Sequence, residues 1–340
     1  MLLTPFLAPQ SLTRVVRDII RGVPAGFLPI AGLRVGHAQD EQALTGCTVL
    51  LAEAGIVAAC EVRGGAVGER ELETLRPGHL VERIHALVLA GGSAFGLEAA
   101  AGVMRWCEER GIGFDTGVAR IPIVPAAILF DLRIGDPKRR PDAAMGYAAA
   151  EAAAQAKPDA PVAEGNVGAG TGATIGKLFG IARATKAGIG CWTEDVSGGA
   201  RVAALAAVNA FGDVRDPDSG RIIAGARAEK GSPEFVDTAA AMRRGTVRKG
   251  FSDPSTVLVA VATNVALTRT EAQRLAAMAA TGMARVVSPA HTTFDGDVVF
   301  ALSLGDARAP LSSGQADVNA LGAFDVTVEF GRARRQQEQL

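Results

Sequence analysis

Short, unbroken apolar runs recur along the chain, bounded by glycine or polar residues, as in strands buried on both faces. Thr48–Leu51 and Ile56–Val62 predict two short strands, and Ala86–Ala90 a third that ends at Gly91-Gly92. Thr256-Val-Leu-Val-Ala-Val-Ala-Thr-Asn264 is a further buried-strand signal. Ile121–Leu132 (interrupted by Pro122 and Pro125), Lys186–Thr193, Val202–Val214 and Val298–Leu304 are further strand candidates. Asp216-Pro-Asp-Ser-Gly220 reads as a turn leading back into Arg221–Ala224. Helical segments alternate with these strands. Ser93 is placed to cap a helix to about Arg110, and Asp142 to about Ala156 is Ala-rich and helical. Pro233–Arg244 and Gln315–Val328 are helix candidates, and Thr268-Arg-Thr-Glu271 is a capping box opening a helix to about Arg285.

Residues 1–30 read as an extension, with a basic amphipathic piece at Ser11–Arg21 followed by Pro24 and Pro29. Residues 31–330 are dense and globular, and 331–340 form a charged tail. No internal repeat or long linker divides the chain, which predicts one α/β domain with mixed sheets. Apolar residues make up 48% of the 340, ample for a buried core. Aromatics are only 5% and the net charge is −1, which argues against nucleic-acid or membrane-surface binding driven by bulk charge. Met1–Gln10 lacks a basic leader, and Ala86–Met104 is broken by Gly91, Gly92, Ser93 and Glu98, so a cytoplasmic protein is expected. Cys47, Cys60, Cys107 and Cys191 form no CxxC pair and read as buried free thiols.

Familiar catalytic motifs fail on spacing. Gly168-Ala-Gly-Thr-Gly-Ala-Thr-Ile-Gly-Lys177 looks like a phosphate loop, but Thr171 stands where the first glycine belongs and Leu178 where the hydroxyl belongs. Gly91-Gly92-Ser-Ala-Phe-Gly96 is not a dinucleotide fingerprint. Neither GxSxG nor HExxH occurs, and His37, His79, His85 and His291 are scattered. Ser255-Thr256 lies where a polar loop meets a buried strand. By itself that is an ordinary strand start. Were the backbone cut before Thr256, its hydroxyl would lie beside a free α-amine of reference pKa ~7.7–8.0, a usable general base.

Several runs occur in one order: Gly32-Leu-Arg-Val-Gly-His37, Thr45-Gly-Cys-Thr48, Arg63-Gly-Gly-Ala-Val-Gly68, Leu89-Ala-Gly-Gly-Ser-Ala-Phe-Gly-Leu-Glu98, Gly168-Ala-Gly170, Ala260-Val-Ala-Thr-Asn264 and Asp295-Gly-Asp297. Over about residues 31–330 this set resembles the self-cleaving L-aminopeptidase/D-Ala-esterases, β-aminopeptidases and 6-aminohexanoate-oligomer hydrolases. The resemblance implies a four-layer αββα sandwich, autocleavage between Ser255 and Thr256, and no metal or organic cofactor. It makes Thr256 the nucleophile and Asn209 an oxyanion donor. Lys177 would orient the hydroxyl or depress the amine pKa, and Asp295 and Asp297 would form an acidic pair. Alternation along an extended segment would turn both carboxylates to one side and Gly296 to the other.

The resemblance implies short peptides or small amides as substrates and a homotetramer as the assembly. It departs at Phe130, where several members carry an oxyanion-stabilising Tyr, and at the Ser252-Asp-Pro-Ser255 lead-in. Two alternatives stand beside hydrolysis: acyl transfer to an amine by a related self-cleaving acyltransferase, and an uncleaved small-molecule-binding scaffold.

Overall fold

The computed structural model describes residues 30–158, 160–196, 199–246 and 254–305. All but the last residue of the expected N-terminal extension, the predicted helix Gln315–Val328 and the charged tail lie outside these residues.

The main sheet contains β1 (Arg34–Asp40), β2 (Thr45–Val62), β3 (Glu69–Arg70), β4 (Arg83–Ala90), β5 (Ala126–Ile128), β6 (Ile189–Asp195), β7 (Arg201–Asn209), β8 (Thr256–Thr263) and β9 (Val298–Ser303). Strand order is β6-β7-β8-β9-β2-β4-β5-β3, with β1 also paired to β2. The β8–β9 and β4–β5 pairs are parallel, and the other pairs are antiparallel. The helices are α1 (Ala99–Glu108), α2 (Ala143–Gln155), α3 (Thr238–Arg243) and α4 (Arg269–Val286).

The two predicted strands Thr48–Leu51 and Ile56–Val62 are one 18-residue strand. Its register with β4 shifts between Leu51 and Ile56, and Gly55 there has φ +76°. This irregularity lets β2 serve both halves of the sheet. Its first half pairs with β1 and its second with β9.

Three apolar clusters fill the spaces between four layers. Val257, Val259 and Val261 of β8 face α4 with Ala272, Leu275, Ala279 and Met283. The alternate residues Leu258, Ala260 and Ala262 face inward, towards Leu50, Leu87 and Leu89 of the other half. Cys47, Val49 and Leu51 point the opposite way, against Val103 and Trp106 of α1 and Ala149 of α2. The layers are therefore helix, sheet, sheet, helix, which is the expected αββα sandwich.

Helix ends follow the sequence signals in two cases. Asp142 accepts the Met145 N–H at 2.8 Å and caps α2. Thr268 and Glu271 form both halves of the capping box of α4. Glycines set the α1–α2 approach: a Cβ on Gly102 would lie 1.8 Å from Ala143 O, and one on Gly146 1.9 Å from Ala99 O. Ser93 does not cap an α-helix. It has φ +55° and opens a 3₁₀ segment, Ser93–Glu98, ahead of α1. Pro233–Arg244 is helical only over Thr238–Arg243, after Phe235–Val236 pairs with Ala226–Arg227. All four cysteines are buried and free, and no described helix is long and apolar enough to cross a membrane.

Candidate active site

The parallel β8–β9 register pairs Leu258 with Val298. Carried back in step, it sets Ser255 opposite Asp295 and Thr256 opposite Gly296. Ser255 and Asp295 do form a parallel bridge, with Ser255 N–H donating to Phe294 O and Gly296 N–H to Ser255 O, both at 2.8 Å. Thr256 Oγ1 donates to the same Ser255 oxygen at 2.7 Å. Two donors thus converge on one carbonyl, that of the Ser255–Thr256 peptide. Ser255 is 0% and Thr256 2% exposed.

Gly296 faces the hydroxyl. A Cβ there would fall 3.0 Å from Thr256 Oγ1 and 2.3 Å from Ala66 O. The glycine thus lies beside the hydroxyl, while both carboxylates reach the same end of the strands. Among the described residues, neither Asp295 nor Asp297 hydrogen-bonds Thr256 Oγ1; each is spent on backbone amides around it. Asp297 Oδ1 accepts the Val257 N–H at 2.7 Å, filling the break in the ladder beside Thr256. Its Oδ2 meets His291 Nδ1 at 2.8 Å. Asp295 Oδ1 accepts the Phe211 N–H at 3.3 Å, and Oδ2 takes the Thr292 N–H at 2.9 Å and hydroxyl at 2.7 Å. Burial, with the nearby Asp297 charge second, pushes Asp295 up to about 6 against the bonds from Thr292 and Phe211.

Asn209 ends β7 directly opposite Thr256. Its orientation is fixed, because Oδ1 accepts Lys177 Nζ at 2.7 Å and Thr174 N–H at 3.0 Å. The amide nitrogen must therefore point the other way, where it donates to Phe130 O at 3.0 Å. Lys177 Nζ also donates to Asn209 O at 2.9 Å, and the residue is only 1% exposed. The glycine-rich segment delivers it there. Gly176 has φ +76°, and a Cβ on it would strike Ala226 N at 2.0 Å. Phe130, Asp131, Gly172, Thr174, Lys177 and Pro254, the residue before Ser255, line a narrow crevice. Phe130 brings its main-chain oxygen to Asn209 and no donor. Asp131 accepts Gly92 N–H and Thr45 Oγ1, both at 2.7 Å, which ties the Gly91-Gly92 turn to this wall. Burial raises its pKa, against those bonds and the Lys177 charge.

All five sequence-selected residues, Thr256, Asn209, Lys177, Asp295 and Asp297, thus gather at one end of β7, β8 and β9. His291, Thr292, Thr174 and Asp131 were not singled out. Thr292 carried a signal, a hydroxyl three residues before Asp295 that suits a local side-chain-bonded turn; His291 read as one scattered histidine. Among the described residues no group of His, Cys, Asp and Glu could hold a metal ion.

An αββα sandwich whose strand ends bring a hydroxyl, a polarised carbonyl, a buried lysine and two carboxylates together is the framework of an amide-bond hydrolase. The chain belongs to Peptidase family S58, whose sequence model matches residues 28–331. It is 41% identical over 300 residues to a Mycobacterium tuberculosis protein described as an uncharacterized aminopeptidase, covering 84% of this chain and 83% of the relative. It is 31% identical over 324 residues to a 6-aminohexanoate-oligomer endohydrolase of Agromyces sp., covering 88% and 84%. A Burkholderia sp. beta-aminopeptidase superposes with TM-score 0.62 at 22% identity, covering 93% of this chain and 89% of that one. The L-aminopeptidase D-Ala-esterase/amidase of Ochrobactrum anthropi, described as a variant of the Ntn hydrolase fold, superposes with TM-score 0.62 at 18% identity, covering 94% and 89%.

Proposed function

We propose that the chain cuts its own Ser255–Thr256 bond and then works as an N-terminal-nucleophile aminopeptidase or amidohydrolase, with Thr256 as nucleophile. The observation that carries the reading is the pair of donors on Ser255 O, Thr256 Oγ1 at 2.7 Å and Gly296 N–H at 2.8 Å. The hydroxyl lies against the carbonyl it would attack, and the amide stands where negative charge would develop.

In maturation, Thr256 Oγ attacks the Ser255 carbonyl carbon while Gly296 N–H holds the oxyanion. The C–N bond breaks and Thr256 nitrogen takes a proton, leaving a Ser255–Thr256 ester. Water cleaves the ester, giving fragments 1–255 and 256–340. In turnover, the freed amine accepts the hydroxyl proton and Oγ attacks a substrate amide. Asn209 Nδ2, aimed by Lys177, donates to the oxyanion, and Asp295 and Asp297 fix the backbone around the nucleophile. The leaving amine takes the proton, and water releases the acid from the acyl-Thr256 ester.

Short peptides and small amides with a free amine are the substrate class, consistent with the names of the aminopeptidase and oligomer-hydrolase relatives. We place the enzyme in the cytoplasm as a homotetramer. The decisive experiment is intact mass of the purified protein beside Thr256→Ala. Two fragments divided at Ser255–Thr256 are expected from the parent and a single chain from the variant. A variant that still divides there, or still hydrolyses such amides, overturns the reading.

A further inference from the structure

His291 lies outside the machinery described so far, yet its contacts lead into it. Its ring Nδ1 is 2.8 Å from Asp297 Oδ2, and its own N–H donates to the same oxygen at 3.2 Å. The other carboxylate oxygen of Asp297 holds the Val257 N–H, one residue from the hydroxyl. His291 adopts φ +55°, a left-handed conformation that is strained for a residue with a Cβ, and its Nε2 reaches Ala280 O of α4 at 3.3 Å. An imidazole is therefore clamped between a helix carbonyl and the carboxylate that anchors the nucleophile's strand. We propose that His291 is a positioning residue, which fixes Asp297 against Val257 and offsets its charge beside Asp295.

The charges around the ring are few. Burial works against the imidazolium, but Asp297, by hydrogen bond and charge, and the Ala280 carbonyl outweigh it, so the pKa is raised. Arg63, ion-paired to Glu61, opposes it. Asp295 feels Asp297 directly. Loss of the imidazolium leaves the Asp297 charge unshielded, which drives the Asp295 pKa further up.

The inference rests on the proposed roles of Thr256 and Asp297, and its test separates the two. The Asp295 carboxyl is followed by carbon-detected NMR titration in the uncut Thr256→Ala protein, alone and with His291→Asn or His291→Gln. Self-cleavage rates are measured in the same His291 variants with Thr256 intact. The Asp295 midpoint is expected to rise by about half a pH unit or more in both variants. Self-cleavage should slow about tenfold or more in His291→Asn, with partial recovery in His291→Gln, which reaches Asp297 with a neutral donor. Slower cleavage with an unmoved midpoint makes His291 merely structural and overturns the inference, as do parental values of both. If His291→Asn does not fold, His291→Gln alone decides by its midpoint. Cleavage persisting in Thr256→Ala would instead defeat the nucleophile assignment.

Discussion

Thr256 and Thr263 stand at opposite ends of β8, both buried and both paired with β7. At the far end, Thr263 Oγ1 accepts the Val265 N–H at 3.1 Å. Its ladder partner Ser303 donates to Val265 O at 2.7 Å and accepts the Leu267 N–H at 2.9 Å. Those hydroxyls close a turn and satisfy its backbone groups. At the near end, Thr256 donates to the carbonyl of the preceding residue, which already carries the Gly296 amide. Strand and residue type are the same, so the difference lies in the neighbours. Glycine opposite Thr256 admits a close approach, and Asp297 takes over a ladder bond that the backbone does not make there. One threonine is used as mortar; the other is left pointed at an electrophile.

Removing the near hydroxyl has the largest expected effect. Thr256→Ala should lower self-cleavage and amide hydrolysis by more than about 10³-fold, the scale on which lost nucleophiles act. Thr256→Ser keeps a hydroxyl and an N-terminal amine and should still yield two fragments by mass spectrometry.

Next come the groups across the ladder from Thr256. Asn209→Ala removes the proposed oxyanion donor and should lower kcat by about 10²–10³-fold with the protein still folded. Lys177→Met keeps much of the stem but strips both Asn209 oxygens of their ammonium partner. Oδ1 keeps the Thr174 N–H, but two charged hydrogen bonds are lost, each worth ~1.5–3 kcal/mol, so this variant should lose melting temperature as well as activity. Unchanged kcat in Asn209→Ala would remove that end of β7 from the chemistry.

Asp295 gives a pH-dependent contrast. Its pKa in the fold is near 6, raised from the usual 3.8. Ionised, it therefore opposes folding: the cost is absent below 3.8, grows with pH, and is complete above about 6. In the uncut Thr256→Ala background, adding Asp295→Asn should flatten the fall in stability over that window, by up to about 3 kcal/mol. Asp213, also raised to about 6 by burial, remains in both proteins, so its contribution cancels in the difference. Chemical denaturation at several pH values reads it, and parallel curves for the two proteins would contradict the assignment.

The fold was legible where local signals and long-range packing agree. The β8 run, the Asp142 cap and the Thr268–Glu271 box each state their element in a few residues. The junction within β2 was not, because Gly55 reads as a break, whereas pairing to β4 on both sides of the irregularity makes one strand. At the site, resemblance singled out five residues, but spacing did not give their partners. Alternation along Asp295-Gly-Asp297 implied two carboxylates on one side, able to reach one site. The β8–β9 register adds what spacing does not show, that Gly296 lies beside Thr256 and the acids bind the backbone at Phe211 and Val257. His291 was invisible for a similar reason: only the fold brings Asp297 between it and the start of β8.

The smallest expected effect tests the opening contrast from its quiet side. Thr263→Ala deletes the acceptor for Val265 N–H but leaves Ser303 bonded to Val265 O and Leu267 N–H, so one backbone donor loses its partner. The expected cost is ~1 kcal/mol of stability. The turn lies at the other end of β8 from the Ser255–Thr256 bond, and the six residues between the two threonines are held in register by β7 and, from Leu258 on, by β9. Fragment masses and kcat should therefore match the parent while the melting temperature falls by a few degrees. If Thr263→Ala instead slowed self-cleavage as Thr256→Ala does, β8 would be transmitting strain along its length, and the two threonines would have to be understood as one device.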